Sequence, residues 1–269
     1  FFWPVALLAL VTATLLQVLC NLANDYGDGL KGVDNQDRIG PQRLMQAGKV
    51  TAKQMHYAMT IVAILAVLSG VALLLASPIS WVAKTLFIAF GLVSLVAALT
   101  YTLGKIPYGY IGLGDVSVLV FFGWLAVIGN YYLQGGTLHL ALWLPATGCG
   151  LMAVAVLNLN NMRDIENDAR CGKHTMAVRL GWQRSHYYHC ALLAVACLVF
   201  ALYLLYFLQA KWLVMLFFLA CAPVYLHARA VTQAQSPACM APMLPVVVGC
   251  AVLMNSAFAA VLGVQLWVK

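Results

Sequence analysis

Two polar stretches of the chain carry closely spaced carboxylates that could hold a divalent cation. The first contains Asn21, Asp25 and Asp28, which are spaced i, i+4 and i+7. If the preceding apolar helix continues through them, these three side chains lie on one helical face. Like charges along one face raise each other's pKa, and a bound cation removes this conflict. The spacing therefore predicts a metal site at the end of the first helix.

The second polar stretch repeats this arrangement near the middle of the chain. Asn160, Asp164 and Asp168 are spaced i, i+4 and i+8, which predicts a shared face on a continuing helix, whereas Glu166 points elsewhere and is expected to be a solvated surface group. Mg²⁺ takes one or two carboxylates, keeps several waters, and binds phosphate oxygens for the rest. Two such faces brought together would hold a diphosphate through bridging Mg²⁺. The predicted metal ligands, which are also predicted catalytic residues, are Asp25, Asp28, Asp164 and Asp168.

Basic and amide side chains accompany both stretches and could bind phosphate groups. Lys173 follows Gly172, whose flexible backbone could bring the ammonium onto a phosphate, so Lys173 is a further predicted catalytic residue. The alternative is that the basic side chains lie on anionic lipid headgroups. The other residues predicted to bind diphosphate or substrate in these stretches are Asn21, Asn24, Lys31, Asp34, Arg38, Arg43, Asn160, Asn161 and Arg163.

A third polar segment, 101–115, is rich in Gly and Tyr, and it contains the predicted substrate-binding residues Tyr108 and Asp115. Gly permits close approach of the backbone, and Tyr offers an apolar face with a hydroxyl group. The segment could therefore be a lid or a wall for an aromatic acceptor. It could equally be an ordinary turn with interfacial aromatic residues, in which Asp115 caps the next helix.

The elements that position these residues are predicted to be membrane-spanning helices. Hydrophobic residues make up 64% of the 269 and charged residues 9%, whereas a soluble domain carries roughly 25% charged residues. Crossing a bilayer takes about 20 apolar residues. The predicted fold class is therefore all-α, a polytopic membrane helical bundle. Its eight predicted spans are 3–23, 52–77, 80–103, 115–133, 138–160, 186–208, 211–232 and 242–268.

The charged residues fall mainly on one side of this predicted bundle. Each span crosses once, so all eight acidic residues share one face, and so do all the Lys and Arg residues except Lys84, Lys211 and Lys269. The positive-inside rule makes that face cytoplasmic. The net charge of +7 suits membrane lipid and an anionic ligand, and it requires no nucleic acid.

The two Asp motifs resemble those of the UbiA superfamily of intramembrane aromatic prenyltransferases. Longer strings resemble the MenA branch of that superfamily, and the resemblance runs over nearly the whole chain. The strings are 21–34 with Arg38-Ile-Gly-Pro, 108–115 with Phe121-Phe-Gly, and 160–164 with 172–181. The fold of that superfamily resembles a helical bundle of nine membrane spans. Eight spans therefore imply that the first is missing, and we expect a single transmembrane prenyltransferase domain over 1–269 that is incomplete at its N-terminus.

The resemblance implies a reaction: a polyprenyl chain passes from polyprenyl diphosphate to 1,4-dihydroxy-2-naphthoate, with loss of diphosphate and CO₂, in menaquinone biosynthesis. It also implies Mg²⁺ as cofactor and a multi-pass location in the bacterial cytoplasmic (inner) membrane, with the active-site loops on the cytoplasmic side. Other acceptors, such as 4-hydroxybenzoate or homogentisate, and haem or chlorophyll as product, stay open. A divalent-cation transporter is an alternative from another class, but it would need polar groups near mid-membrane, and the spans are apolar between their ends. A purely structural scaffold would have no reason to gather its carboxylates on one face.

Overall fold

The computed structural model describes residues 1–267, which fold into helices without strands. Eight helical stretches in this range are long and apolar enough to cross a membrane, which confirms the eight predicted spans. The predicted end of the last span at residue 268, and Lys269, lie outside the described residues. The eight stretches are Trp3–Leu30, Ala52–Ala76, Trp81–Thr100, Gly114–Leu133, Leu140–Arg163, Trp182–Phe207, Leu213–Gln233 and Pro237–Gln265.

The chain divides into two compact units. The first comprises residues 1–114, 129–138 and 167–175. It contains α1 (Trp3–Leu30), α2 (Ala52–Ala76), α3 (Trp81–Thr100) and the end of the fourth span. α1 packs against α2 and α3 around the buried residues Leu19, Ala23 and Met59. Leu19 and Ala23 lie in the part of α1 that carries the first Asp motif, so these contacts hold that part of the helix in place.

The first Asp motif lies on one unbroken helix, as predicted. α1 continues past the predicted end at residue 23 to Leu30, and the backbone N–H of Lys31 donates to the carbonyl of Gly27. Gly32 then adopts a left-handed conformation with φ +70°, a usual way for a helix to end. Asn21, Asp25 and Asp28 therefore keep the helical spacing on which the prediction depended.

A glycine lets the end of α1 approach the turn after α3. A Cβ atom on Gly27 would lie 2.9 Å from Thr102, closer than ordinary packing allows. The hydroxyl of Thr102 donates to the carbonyl of Ala23 at 2.8 Å. The motif-bearing end of α1 is thereby held against Thr102.

The second unit comprises residues 115–128, 139–166 and the described chain from Met176 onward. Its largest helices are α6 (Trp143–Arg163), α9 (Trp182–Phe207), α10 (Leu213–Gln233) and α11 (Met243–Trp267). They pack around a core that includes Phe200 and Phe217. The fourth span enters this unit through α4 (Gly114–Val118) and a π-helical segment (Leu119–Ile128), and it ends as α5 (Gly129–Leu133).

The prediction of one continuous helix through the second Asp motif is wrong. α6 ends at Arg163, Asp164 takes the C-cap position with φ −100° and ψ 13°, and α7 (Ile165–Arg170) begins as a new helix. Asp is disfavoured in helix interiors, because its side chain can form hydrogen bonds with nearby backbone groups that compete with those of the helix. The helix on which the predicted i, i+4, i+8 face depends is therefore interrupted at Asp164. Glu166 is exposed, as predicted. A short helix, α8 (Met176–Leu180), precedes α9.

Candidate functional site

Asp28 is a buried carboxylate whose two oxygens both have partners. The hydroxyl of Tyr110 donates to Oδ1 at 2.6 Å, and the ammonium of Lys173 lies 3.1 Å from Oδ2. The guanidinium of Arg43 approaches the same Oδ2 at 3.7 Å. These four side chains, named here the Asp28 cluster, come from four separate segments of the first unit. The fold thus joins the first Asp motif to the Gly/Tyr-rich segment and to the loop that carries Lys173.

Asp25, one turn before Asp28 on α1, has an unused oxygen. Asp25 is 8% exposed, and no hydrogen-bond donor among the described residues reaches its buried Oδ1 atom. A buried acceptor without a partner costs free energy, and native structures rarely keep one without a reason. This oxygen is therefore available to a ligand such as a cation.

Two arginines of the loop after α1 pair with the buried carboxylate of Asp34. Arg38 Nε lies 3.3 Å from Oδ1, and Arg43 Nε lies 3.2 Å from Oδ2. Burial raises the pKa of the Asp34 carboxyl, and the guanidinium groups of Arg43 and Arg38 oppose that shift. Since Arg43 also approaches Asp28, it connects the two carboxylates.

Lys31 and Asn24 contact the turn that follows α3. The Lys31 ammonium donates to the carbonyl of Thr102 at 2.9 Å and to the carbonyl of Gly104 at 3.2 Å. The side-chain oxygen of Asn24 accepts from the Thr102 hydroxyl at 3.2 Å. Asn21, by contrast, is exposed, and its side-chain oxygen accepts from Gln17. Of the three residues, Lys31 and Asn24 therefore lie in the network around Asp28, whereas Asn21 is more peripheral.

The part of the second motif that belongs to the first unit contains Asp168 and Lys173. Asp168 is buried, and its carbonyl accepts the backbone N–H of Lys173 at 2.8 Å. Gly172, directly before Lys173, has a left-handed φ of +71°, a conformation that glycine adopts readily. Asn167, which sequence reasoning missed, is buried and donates from its side-chain amide to the carbonyl of Val33 at 2.8 Å. That bond attaches α7 to the loop after α1.

Tyr110 was also missed as an individual residue, because the sequence indicated only a Gly/Tyr-rich segment. Two ammonium groups each lie over its ring, with Lys31 Nζ 4.6 Å and Lys173 Nζ 5.3 Å from the ring centroid. Its carbonyl accepts the backbone N–H of His174 at 2.9 Å. Burial, and secondly the negative charge of Asp28, raise the pKa of Tyr110 far above its usual value. The hydroxyl therefore stays protonated and acts as a donor.

The remaining residues of the second motif lie in the second unit. Arg163 Nη2 contacts Asp164 Oδ2 at 2.6 Å, and Nε contacts Oδ1 at 3.2 Å, so the pair is bidentate. The same guanidinium donates to the side-chain oxygen of Asn160 at 2.9 Å. Arg163, Asp164 and Asn161 are all buried. The carboxylate of Asp164 is thus already neutralised by its neighbour in the sequence.

Asp115 and Tyr108 have partners that the sequence did not indicate. Asp115 is the second residue of α4 and not its cap, and it accepts a hydrogen bond from the Tyr188 hydroxyl of α9 at 2.8 Å. The Tyr108 hydroxyl donates to the carbonyl of Ala97 at 2.9 Å. The Tyr108 ring borders an open apolar hollow of about 360 Å³ along α3. Tyr108 is therefore anchored to α3, and Asp115 belongs to the second unit.

The donor set suits a cation that arrives with a phosphate ligand. Among the described residues there is no cluster of three or more Asp, Glu, His or Cys side chains that could hold a metal ion by themselves. Mg²⁺ needs only one or two carboxylates when substrate phosphates and waters supply the other oxygens. The unused oxygen of Asp25 beside Asp28, with Lys173 and Arg43 at hand, is a donor set of this kind.

Comparison with known proteins places the chain in a family. The UbiA prenyltransferase family matches residues 1–257, so the chain belongs to that family, and the resemblance seen in the motifs is confirmed. It is similar to the 1,4-dihydroxy-2-naphthoate octaprenyltransferase of Escherichia coli (strain K12), with 51% identity over 262 residues, which cover 97% of this chain and 84% of that protein. The protein of the same description from Haemophilus influenzae is 44% identical over 255 residues, with coverages of 95% and 82%.

A solved structure agrees with the fold. It concerns digeranylgeranylglyceryl phosphate synthase, and it aligns with 94% of this chain and 84% of its own chain at a TM-score of 0.56. The sequence identity of 17% is low, so this likeness supports a shared arrangement of helices and nothing about the substrate.

Proposed function

We propose that this protein transfers a polyprenyl chain from polyprenyl diphosphate to 1,4-dihydroxy-2-naphthoate, releasing diphosphate and CO₂, as a step of menaquinone biosynthesis. The strong similarity to two bacterial octaprenyltransferases of this naphthoate supports the choice of acceptor. The observation that carries the chemistry is the Asp28 cluster, in which a carboxylate from the first motif meets an ammonium from the second. Family membership makes the protein a prenyltransferase, and the acceptor is the proposed part.

The basic side chains of the Asp28 cluster are suited to the leaving group. In the reaction the bond between the allylic carbon and the diphosphate oxygen breaks, and its electron pair stays on the diphosphate. Lys173 and Arg43 would stabilise this developing charge as fixed cations in a site with restricted access to water. The naphthoate ring then forms a bond to the allylic carbon at the ring carbon that bears the carboxylate. The carboxylate departs as CO₂, and its bonding pair returns to the ring.

We further propose that Mg²⁺ assists this step, with Asp25, Asp28, Asp164 and Asp168 as its protein ligands. Bound with the diphosphate, the cation would add positive charge where negative charge develops. The unpartnered Oδ1 of Asp25 supports this assignment in the first motif. In the second motif Asp164 and Asp168 are assigned from their place in the Asp motif of the sequence, and both side chains are buried.

The proposed orientation places the motif-bearing loops in the cytoplasm of a bacterial cell, with the spans in the inner membrane. The support is the excess of Lys and Arg on the side of the Asp motifs. Membrane lipid is then the solvent for the exposed apolar faces. One example is α3 (Trp81–Thr100), because no residue of its most apolar stretch is buried inside the protein.

An acceptor comparison tests the proposed function. The purified protein in lipid nanodiscs is supplied with one polyprenyl diphosphate, Mg²⁺, and separately 1,4-dihydroxy-2-naphthoate, 4-hydroxybenzoate or homogentisate. We expect a prenylated product only with the naphthoate, together with one labelled CO₂ per turnover when its carboxyl carbon is labelled. Preferential transfer to 4-hydroxybenzoate, or transfer to the naphthoate without CO₂ release, would overturn the proposal.

A further inference from the structure

We propose that Tyr110 is a positioning residue for the diphosphate site, with its hydroxyl orienting Asp28 and its ring holding Lys31 and Lys173. Tyr110 is 8% exposed and lies between the first motif and the Lys173 loop in the first unit. The inference rests on the proposed function, because it assigns Tyr110 a task in binding the metal and the diphosphate of that reaction.

The hydroxyl determines how the Asp28 carboxylate is oriented. It donates to Oδ1 at 2.6 Å, so rotation of the carboxylate about its last bond would break this contact. The opposite oxygen, Oδ2, faces Lys173 and Arg43. Carboxylates that bind metals are usually held by outer hydrogen bonds of this type, and losing such a bond typically costs about 10–100-fold in metal affinity or activity.

The ring acts on the basic side of the site. Two ammonium groups, from Lys31 and Lys173, each lie over the Tyr110 ring and within about 6 Å of its centroid, the range in which a cation is attracted to a ring. Two like charges near each other repel, and a shared ring offsets part of that repulsion. Tyr110 thereby keeps both lysines where a diphosphate with several negative oxygens can bind between them.

The backbone of Tyr110 contributes a third contact. Its carbonyl accepts the N–H of His174, which immediately follows Lys173. The loop that carries Lys173 is therefore attached to the same residue that orients Asp28. Packing alone would explain a buried aromatic ring, but it explains neither the hydroxyl aimed at a carboxylate nor the two lysines over one ring.

Binding of inorganic diphosphate and Mg²⁺ tests the role of the Tyr110 hydroxyl separately from that of its ring, without requiring turnover. Calorimetry on the full chain in detergent measures diphosphate binding in EDTA, and then Mg²⁺ binding in the presence of diphosphate. For Tyr110→Phe we expect Mg²⁺ affinity to fall about 10-fold or more, while metal-free diphosphate affinity stays within about 2-fold, because the ring remains. For Tyr110→Leu both affinities should fall. Tyr57→Phe, which removes a hydroxyl from an exposed tyrosine of α2, is the matched control.

Each outcome decides the inference. Unchanged Mg²⁺ affinity in Tyr110→Phe overturns the role of the hydroxyl. This holds even if the unfolding temperature falls, because a lower unfolding temperature alone shows only that the hydroxyl contributes to packing. Unchanged diphosphate affinity in Tyr110→Leu overturns the role of the ring, and Tyr110→Met replaces that variant if it does not fold. If the wild-type protein binds Mg²⁺ and diphosphate as expected but prenylates another acceptor, the proposed function fails while the assignment of Tyr110 stands.

Discussion

The ammonium of Lys173 lies 3.1 Å from a carboxylate oxygen of Asp28, although 145 residues separate them in the chain. Both side chains are shielded from solvent, with 13% and 2% of their surface exposed. If Asp28 binds Mg²⁺, the cation takes a place beside an oxygen that now faces Lys173, and the ammonium becomes free to bind phosphate. A metal and a diphosphate that arrive together would satisfy both groups at once.

This relationship makes Lys173→Ala an informative variant. We expect kcat to fall about 100-fold or more, by analogy with the loss of one preorganised charge-stabilising donor at other active sites. Steady-state kinetics with varied polyprenyl diphosphate measures the effect. Lys53→Ala, an exposed lysine in the first turn of α2, is the control for simple headgroup contact and should stay near wild type. Unaltered kcat and KM in Lys173→Ala would move the assignment to Lys31.

Carboxylate-to-amide changes test the two-motif metal site with little change in shape. Asp28→Asn and Asp164→Asn should each lower turnover at least about 100-fold while the protein still folds, since an amide is a much poorer Mg²⁺ ligand. Asn is preferred to Ala at position 164, because removing the side chain would leave the buried guanidinium of Arg163 unpaired. EDTA should abolish wild-type turnover, and added Mg²⁺ should restore it.

The control for these changes is Asp37→Asn, which alters an exposed carboxylate of the loop after α1 that pairs with the exposed Arg170. Its turnover should resemble that of the wild type. Near-normal turnover in both Asp28→Asn and Asp164→Asn would exclude a site that uses both motifs.

A substitution in α1 tests the close approach at Thr102. In Gly27→Ala the new methyl group would lie 2.9 Å from Thr102, so the end of α1 must shift. We expect a loss of about 1–3 kcal/mol in the free energy of unfolding and reduced turnover, because the shift displaces Asp25 and Asp28. Gly91→Ala in α3 is the matched control, since a Cβ there meets nothing within 4 Å. Equal unfolding temperatures for the two variants would contradict the predicted overlap.

The proposed orientation can be checked with single cysteines in a background without the natural ones. Gln36 and Glu166 are both exposed on the side of the Asp motifs, and Gln209 is exposed in a turn predicted for the opposite side. An impermeant maleimide should label Gln209→Cys in intact cells, and the other two only after the membrane is opened. Labelling of Gln36→Cys from outside would reverse the orientation. Asn167 is unsuitable for labelling, because it is buried and bonded to Val33.

The spans and the first motif could be predicted because both depend on local sequence. An apolar run of sufficient length predicts a span whatever its neighbours are. The spacing of Asp25 and Asp28 needed only that α1 continue to Leu30, which it does. The same reasoning failed at Asp164, where the helix ends, because regular spacing says nothing about whether a helix is interrupted between its members.

The partners of the site residues could not be predicted, since they depend on contacts between distant segments. Tyr110 could be seen only as part of a Gly/Tyr-rich segment, and the hydroxyl contact with Asp28 spans 82 residues. Asn167 was not among the predicted site residues, yet its amide bonds to Val33. Arg43 was predicted to bind phosphate, but its pairing with Asp34 had no local signal.

The contacts between the loop after α1 and α7 have a consequence for hydrogen exchange. Asn167 bonds to Val33, Arg170 pairs with Asp37, and the backbone N–H groups of Val33 and Lys173 are themselves bonded to the carbonyls of Asp28 and Asp168. Segments linked in this way tend to open as one cooperative unit. The amides of Val33 and Lys173 should therefore exchange at matching rates in the wild type, and breaking the single bond from Asn167 should speed the exchange of both.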